Sequence, residues 1–180
     1  MLLDRDRCLL LLVDFQERLL PALAGGESAL GNAERLLTAA RRLGLPARAT
    51  EQYPKGLGVT DARLRGELDP GEILEKTHFN AAREGSVADA VAATRRRTLV
   101  LAGAEAHVCV LQTALGFQSQ GYAVAVVADA TASRTAENAQ LGLGRMRRAG
   151  VEIVSTEMAL FEWIGQAATP EFRDLLPLIK

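Results

Sequence analysis

Three residues of this chain carry side chains suited to nucleophilic or acid–base chemistry, and each lies at or just beyond the end of a predicted β-strand. Cys109 lies in Gly-Ala-Glu-Ala-His-Val-Cys-Val, where a strand gives way to a helix. A thiol at a helix N-terminus meets the positive end of the macrodipole and unpaired backbone N–H groups, so we expect a stabilised, nucleophilic thiolate. The same N–H groups could bind an oxyanion. Position alone equally allows Cys109 to be a small packing residue.

Asp14 and Lys76 are the other two residues. Asp14 ends the wholly apolar run Cys8–Val13; burial raises the pKa of a carboxylate unless a cation lies nearby, and a raised pKa suits proton transfer. The alternative is a helix-capping or turn aspartate. Lys76 is one of only three lysines. Its ammonium could pair with Asp14 and favour a thiolate on Cys109, or it could extend from a sheet edge to water.

The elements that must position these residues alternate between short apolar runs and helical patterns. Cys8–Val13 and Thr98–Ala102 are the strongest predicted strands, because continuous apolar runs are typical of strands buried on both faces. The remaining predicted strands are Ala47–Thr50, Ile73–Thr77, Ala123–Ala128 and Val151–Val154. The predicted helices are Leu30–Leu43, Val87–Thr94, Val108–Gln120, Ala136–Arg148, Thr156–Ile164 and Pro170–Leu176, and Glu51–Asp61 is predicted to be a loop.

This alternation predicts an α/β fold. We expect a three-layer α/β/α sandwich around a six-stranded, mostly parallel, Rossmann-like sheet, formed by residues 1–180 as a single domain. In such sheets reactive groups gather at the carboxyl ends of the strands. Asp14 ends the first strand, Lys76 the third, and Gly103–Cys109 follows the fourth. The three residues are therefore predicted to share one edge.

The composition argues against several kinds of partner. The 180 residues include 21 basic and 22 acidic side chains, a formal charge of −1, so no bulk attraction to nucleic acid or anionic membrane is expected. Two cysteines give no basis for a disulfide scaffold, and free thiols suit a reducing cytosol. The apolar run Cys8–Val13 is too short to span a membrane. We expect a cytoplasmic protein.

Three segments together resemble the isochorismatase-like hydrolases: Leu-Leu-Val-Asp14-Phe-Gln, Glu-Lys76-Thr-His-Phe and Gly-Ala-Glu-Ala-His-Val-Cys109-Val-Leu-Gln-Thr-Ala. Their order and spacing fit that family along nearly the whole chain. The resemblance implies a catalytic triad of Asp14, Lys76 and Cys109 that cleaves an amide-type C–N bond of a small molecule through a thioester. It also implies a cis peptide at Ala104–Glu105, with the backbone N–H groups of Glu105 and Cys109 as the oxyanion hole.

The sequence differs from two subgroups of this family, and the differences narrow the expected reaction and cofactors. Nicotinamidase-like members hold a metal through an aspartate and several histidines after the second strand, whereas the corresponding loop here, Thr50–Gly58, contains no histidine. The chain has only His78 and His107, so neither a metal nor another cofactor is expected, and His107 is interpreted as a structural hydrogen-bonding residue. Isochorismatases proper lack the cysteine nucleophile, so Cys109 argues against isochorismate hydrolysis.

Residues near the predicted centre are interpreted as parts of the substrate pocket. Gln16 and Gln52 are predicted to orient a small-molecule substrate, and Tyr53 and Phe79 to form a pocket wall. Trp163 is predicted to pack a helix or a subunit contact. Relatives are usually homo-oligomers, so the resemblance implies a homo-oligomer here as well.

Two other functions fit parts of the pattern. A dinucleotide-binding domain would need G-x-G-x-x-G after the first strand, but the segment Asp14–Pro21 has no glycine. A redox-sensing or non-catalytic protein could keep the scaffold and use Cys109 as a reactive thiol. The presence of both Asp14 and Lys76 favours the enzyme over the sensor.

Overall fold

The computed structural model describes residues 1–179, and its centre is a sheet of six strands in the order β3-β2-β1-β4-β5-β6. All five strand pairings are parallel. The strands are β1 (Cys8–Val13), β2 (Ala47–Gln52), β3 (Ile73–Lys76), β4 (Thr98–Ala104), β5 (Ala123–Ala132) and β6 (Glu152–Val154). Helices cover both faces, so the predicted three-layer α/β/α sandwich is confirmed.

Within residues 1–179, eight α-helices connect and flank the strands. They are α1 (Gly26–Leu43), α2 (Pro54–Leu57), α3 (Ala62–Arg65), α4 (Gly85–Ala93), α5 (Leu111–Ser119), α6 (Ala136–Arg148), α7 (Thr156–Ile164) and α8 (Pro170–Ile179). A π-helical turn at Ala106–Val110 leads into α5, and 3-10 turns lie at Leu20–Ala22, Pro70–Glu72 and Ala81–Arg83.

The apolar run of β1 builds both helical layers, because successive side chains of a strand point to opposite faces. Cys8, Leu10 and Leu12 pack with the buried faces of α1, α7 and α8. Leu9, Leu11 and Val13 pack with those of α4, α5 and α6. Every residue of β1 is buried, as the sequence pattern predicts for a central strand.

The structure extends β2 beyond its predicted end at Thr50. Glu51 and Gln52 continue the strand and pair with β3, although both are polar. The Glu51 carboxylate is satisfied there, since it accepts hydrogen bonds from the backbone N–H and hydroxyl of Thr60 at 2.7 and 2.8 Å. These tertiary hydrogen bonds allow polar residues to form a buried strand end that an apolar pattern cannot predict.

Trp163, predicted to pack a helix or a subunit contact, lies in the interior together with Cys8. Trp163 on α7 is 1% exposed and Cys8 is fully buried, both in the layer formed by α1, α7 and α8. No helix within residues 1–179 is both long enough and apolar enough to cross a membrane.

Candidate active site

The strand order places the ends of β1 and β4 side by side at the centre of the sheet. The chain leaves β1 toward β2 on one side, whereas β4 begins the other half of the sheet, so this is a topological switch point. Asp14 directly follows β1, and Cys109 lies on the turn that follows β4. The crevice at such a point is the usual ligand site of open parallel sheets.

Lys76 reaches this crevice from the edge of the sheet. Its strand, β3, is separated from β1 by β2, so the two backbones lie about 10 Å apart, twice the strand spacing. The long lysine side chain crosses that gap, and its Nζ lies 2.8 Å from Asp14 Oδ2. Both side chains are 0% exposed. The structure therefore brings two of the predicted residues into a buried ion pair.

Asp14 is held by contacts on both carboxylate oxygens. Thr50 Oγ1 donates to Asp14 Oδ1 at 2.6 Å, while Lys76 donates to Oδ2. The Asp14 backbone adopts a left-handed conformation, with φ of 55°, and its N–H donates to the carbonyl of Thr50. This sharp departure from the strand turns the carboxylate into the crevice.

Cys109 lies in the π-helical turn, and hydrogen bonds to one residue fix the shape of this turn. The N–H groups of Val108 and Val110 both donate to the carbonyl of Glu105, at 3.0 and 3.2 Å. The Ala104–Glu105 peptide is cis, as the resemblance implied. The turn carries the backbone amides of Glu105 and Cys109 that were predicted to form an oxyanion hole.

Side chains from the segment after β5 brace the same turn. The Arg134 guanidinium donates from Nε and Nη2 to the two carboxylate oxygens of Glu105, each at 2.9 Å. His107 Nδ1 lies 3.0 Å from the hydroxyl of Ser133, which is fully buried. His107 thus makes the structural hydrogen bond expected of it.

Burial raises the pKa of Asp14, and the ammonium of Lys76 only partly opposes this effect. The prediction of a raised pKa was conditional on the absence of a nearby cation. The structure has the cation, but complete desolvation of the carboxylate outweighs it. A raised pKa makes Asp14 a better proton acceptor.

The predicted stabilisation of the Cys109 thiolate is wrong for the resting structure. Burial, followed by the charge of Asp14, raises the pKa of the Cys109 thiol to about 12. Lys76 acts in the opposite direction but does not compensate. Cys109 is only 6% exposed, and its desolvation outweighs the stabilisation that the charge of Lys76 gives a thiolate. The resting residue is therefore a neutral thiol.

Gln16 and Gln52, predicted to orient substrate, use their side-chain amides within the protein. Gln16 Nε2 donates to the carbonyls of Gln52 and Gly58, and Gln16 Oε1 accepts from the N–H of Gln52. Gln52 Oε1 accepts from Lys76 Nζ at 2.6 Å, and its Nε2 donates to the carbonyl of Thr77 at 2.8 Å. We therefore revise the interpretation of both residues from substrate ligands to supports of the crevice.

Tyr53 and Phe79 lie on the loops after β2 and β3 and are more than half exposed. Tyr53 contributes to a cavity of about 290 Å³ beside the backbone of Lys76, which Lys55, Glu75 and Glu84 also line. A larger cavity, of about 630 Å³, lies between the N-terminal segment and α7, and none of the three predicted catalytic residues lines it. Of these two cavities, the one beside the loops is lined by a predicted catalytic residue, Lys76.

Side chains able to bind a metal are dispersed or already paired. Glu51 is engaged by Thr60 and Arg65, and His78 Nδ1 lies 3.0 Å from Glu84 Oε2. In residues 1–179, no three histidine, cysteine, aspartate or glutamate side chains are grouped closely enough to hold a metal ion.

Three supporting residues were missed by the sequence reasoning: Thr50, Ser133 and Arg134. Thr50 had a usable signal, because it is the polar residue at the end of a predicted strand beside β1. Ser133 and Arg134 had no such signal in the sequence, since their hydrogen-bond partners are more than 20 residues away in the chain. Only the three-dimensional fold brings these contacts together.

Comparison with known sequences matches most of the chain to one domain family. The family model described as the Isochorismatase domain matches residues 8–158. Isochorismatase domain-containing protein 1 of Salmo salar is 36% identical over 174 residues, which cover 93% of this chain and 59% of the salmon protein. The chain thus spans less than two thirds of that relative's length.

Solved structures show the same fold. The MAR1 ribonuclease of Caenorhabditis elegans superposes with a TM-score of 0.92 at 31% identity, covering 99% of this chain and 92% of its own. The YcaC protein of Escherichia coli, described as an octameric hydrolase of unknown specificity, superposes with a TM-score of 0.89 at 24% identity, covering 98% and 95% of the two chains. The predicted resemblance is confirmed, and the chain belongs to the isochorismatase domain family.

Proposed function

We propose that this protein is a hydrolase that uses Cys109 as its nucleophile and cleaves an amide-type C–N bond of a small molecule. Asp14 acts as the general base, and Lys76 supplies the positive charge that holds the centre together. The observation that carries the proposal is the fully buried Asp14–Lys76 pair, whose charges both act on the thiol of Cys109. A buried ion pair at a ligand crevice is costly to maintain for packing alone.

The proton transfer follows from the electrostatics of the three residues. With Asp14 ionised, its charge raises the pKa of Cys109 and keeps the thiol neutral. When Asp14 takes the thiol proton, that negative charge disappears, and Lys76 then faces the new thiolate. The centre therefore remains neutral overall before and after the transfer, which limits the cost of forming a thiolate in a desolvated site.

The reaction then proceeds by acyl transfer. The thiolate attacks the carbonyl carbon, and the backbone N–H groups of Glu105 and Cys109 stabilise the oxyanion. The tetrahedral intermediate collapses, the C–N bond breaks, and the departing amine takes the proton held by Asp14. Asp14 then deprotonates a water molecule that attacks the thioester carbonyl. The C–S bond breaks, the carboxylic acid is released, and the Cys109 sulfur regains a proton from Asp14.

The proposal includes a homo-oligomer acting on a small molecule in the cytoplasm without a cofactor. Large apolar side chains are exposed on the single chain, among them Leu141, Met158 and Phe161, and a partner subunit would cover such surface. The E. coli YcaC protein, which has the same fold, is described as octameric. Light scattering of the purified chain tests this part of the proposal.

The C. elegans neighbour is named a ribonuclease, so RNA cleavage is the second candidate function. We favour the amide because a formal charge of −1 gives little general attraction for a polyanion. A thiol beside a carboxylate base also suits acyl transfer, in which the nucleophile forms a thioester.

The test is a panel of small amides assayed for ammonia or amine release, with a short RNA in a parallel arm. We expect release by wild type and by Cys8→Ala, and none by Cys109→Ala, because Cys8 lies in the core away from the crevice. RNA cleavage that survives Cys109→Ala, with no amide cleaved, would overturn the proposal. If no substrate is cleaved and Cys109 reacts with alkylating agents well below the ordinary thiol pKa of about 8.5, as the low-pKa thiols of redox sensors do, the redox-sensing function would replace it.

A further inference from the structure

Gln52 ends β2, between the strands that precede Asp14 and carry Lys76, and it is 8% exposed. Its Oε1 accepts from Lys76 Nζ at 2.6 Å, while its Nε2 donates to the carbonyl of Thr77 at 2.8 Å. Because a carbonyl can only accept and an ammonium can only donate, just one orientation of the amide satisfies both partners. The oxygen of Gln52 is therefore directed at Lys76.

The backbone of Gln52 is itself fixed from the β1 side. Gln16, which is fully buried, accepts the Gln52 N–H at 2.8 Å and donates to the Gln52 carbonyl at 3.1 Å. Gln16 also donates to the carbonyl of Gly58 at 2.7 Å, so the loop after β2 is tied to the same support. The amide that meets Lys76 thus starts from a rigid position.

The hydrogen bonds of Lys76 divide into one charged and two neutral contacts. Its Nζ donates to Asp14 Oδ2 at 2.8 Å, to Gln52 Oε1 at 2.6 Å and to the carbonyl of His78 at 3.3 Å. An ammonium has three donors, so these acceptors fix its direction fully. Only Asp14 carries a negative charge, so the full positive charge of Lys76 is available to Asp14 and Cys109.

We propose that Gln52 is a positioning residue: its neutral amide directs the Lys76 ammonium at Asp14 and Cys109 without neutralising the ammonium charge. A carboxylate of the same size would leave the centre with a net negative charge and would also face the carbonyl of Thr77. The added negative charge opposes formation of a thiolate. The inference deepens the proposed function, on which it rests, but its first test requires no turnover.

The test compares Gln52→Glu with wild type and with the matched control Gln140→Glu, an exposed position on α6. Iodoacetamide alkylation of Cys109 is followed across pH on the full chain, with peptide masses separating Cys109 from Cys8. We expect Gln52→Glu to slow alkylation about tenfold or more at a given pH, equal to a rise of at least one pKa unit. Gln140→Glu should match wild type. Superimposable profiles for all three proteins would overturn the proposal.

Gln52→Met keeps the side-chain length but removes the acceptor, and it covers the case in which Gln52→Glu does not fold. We expect it to lower kcat about tenfold or more with KM near its wild-type value, because the Lys76 ammonium loses its orientation. An unchanged kcat would overturn the proposal. If wild type cleaves no amide while Gln52→Glu still slows alkylation, the proposed reaction fails and the positioning role stands.

Discussion

Lys76 Nζ lies 2.8 Å from Asp14 Oδ2, and the two side chains are completely buried although their strands are not neighbours in the sheet. The lysine crosses the end of β2 to make this contact. The pair joins the edge of the sheet to its central crevice, beside the thiol of Cys109. The burial and the charges of this pair lead to predictions for Asp14 and for Lys76.

Asp14→Asn separates the two effects of the carboxylate. Loss of the base should lower kcat by at least about a hundredfold. Loss of the negative charge should at the same time lower the pKa of the Cys109 thiol, because that charge contributes to raising it. We therefore expect faster alkylation of Cys109 at pH 8 together with lost turnover. Slower alkylation than in wild type would contradict the assignment.

Lys76→Met leaves the Asp14 carboxylate buried without its cation, which should cost about 3–5 kcal/mol of unfolding free energy. The pKa of Asp14 is already raised in the folded protein, and it should rise further in this variant. A group whose pKa is higher in the folded than in the unfolded state stabilises the fold fully at pH values below its unfolded-state pKa. This stabilisation is lost as the pH rises through the folded-state pKa.

Urea unfolding of Lys76→Met should therefore give a larger deficit relative to wild type at pH 8 than at pH 5. The double variant Asp14→Asn/Lys76→Met is the control, because it has no ionisable group at either position. Its deficit should depend less on pH. A pH-independent deficit in the single variant would show that packing, rather than the unpaired carboxylate, causes the loss.

Gly142 on α6 lies directly against the turn that carries Cys109. A Cβ there would lie 2.8 Å from His107 Cα and 2.9 Å from the carbonyl oxygen of Ala106, both backbone atoms. We expect Gly142→Ala to cost about 1–3 kcal/mol of stability through overpacking, and to lower kcat by displacing the turn. Chemical denaturation and steady-state kinetics measure the two effects.

Gly144→Ala, on the same helix, is the matched control. Its Cβ would meet only the flexible end of Arg148, at 3.6 Å. Since alanine is the better helix former, this variant should gain up to about 1 kcal/mol. Equal changes in stability and kcat for the two substitutions would show that contact with the turn is not the cause.

Arg134→Ala should displace the turn that carries Cys109, because it removes the ion pair that holds Glu105. The Arg134 guanidinium binds both oxygens of a carboxylate that is only 8% exposed, next to the predicted oxyanion amides. We expect kcat to fall between about tenfold and a hundredfold, because small displacements of reacting groups are costly. Arg63→Ala, which removes exposed ion pairs with Glu27 and Glu34, should leave kcat unchanged.

Much of this architecture could be predicted because it is local or follows a general rule. The apolar run of β1 and the helical spacing of α6 and α7 specify their elements directly, and parallel strands bring Asp14, Lys76 and Cys109 to one edge. The roles of Gln16 and Gln52 could not be predicted, because their partners are backbone groups placed by tertiary structure. The raised pKa of Cys109 could not be predicted either, since the desolvation of its thiol depends on residues that are distant in the sequence.

In the proposed reaction an acyl group passes through Cys109, and the mass of the Cys109 peptide after rapid acid quenching of turnover tests this step. With a cleaved amide and wild-type protein, we predict an added acyl mass on that peptide and none on the peptide containing Cys8. Hydroxylamine, which intercepts thioesters, should convert the adduct to a hydroxamate. Continued amine release with the acyl mass elsewhere, or with neither adduct nor hydroxamate, would show that Cys109 is not the nucleophile.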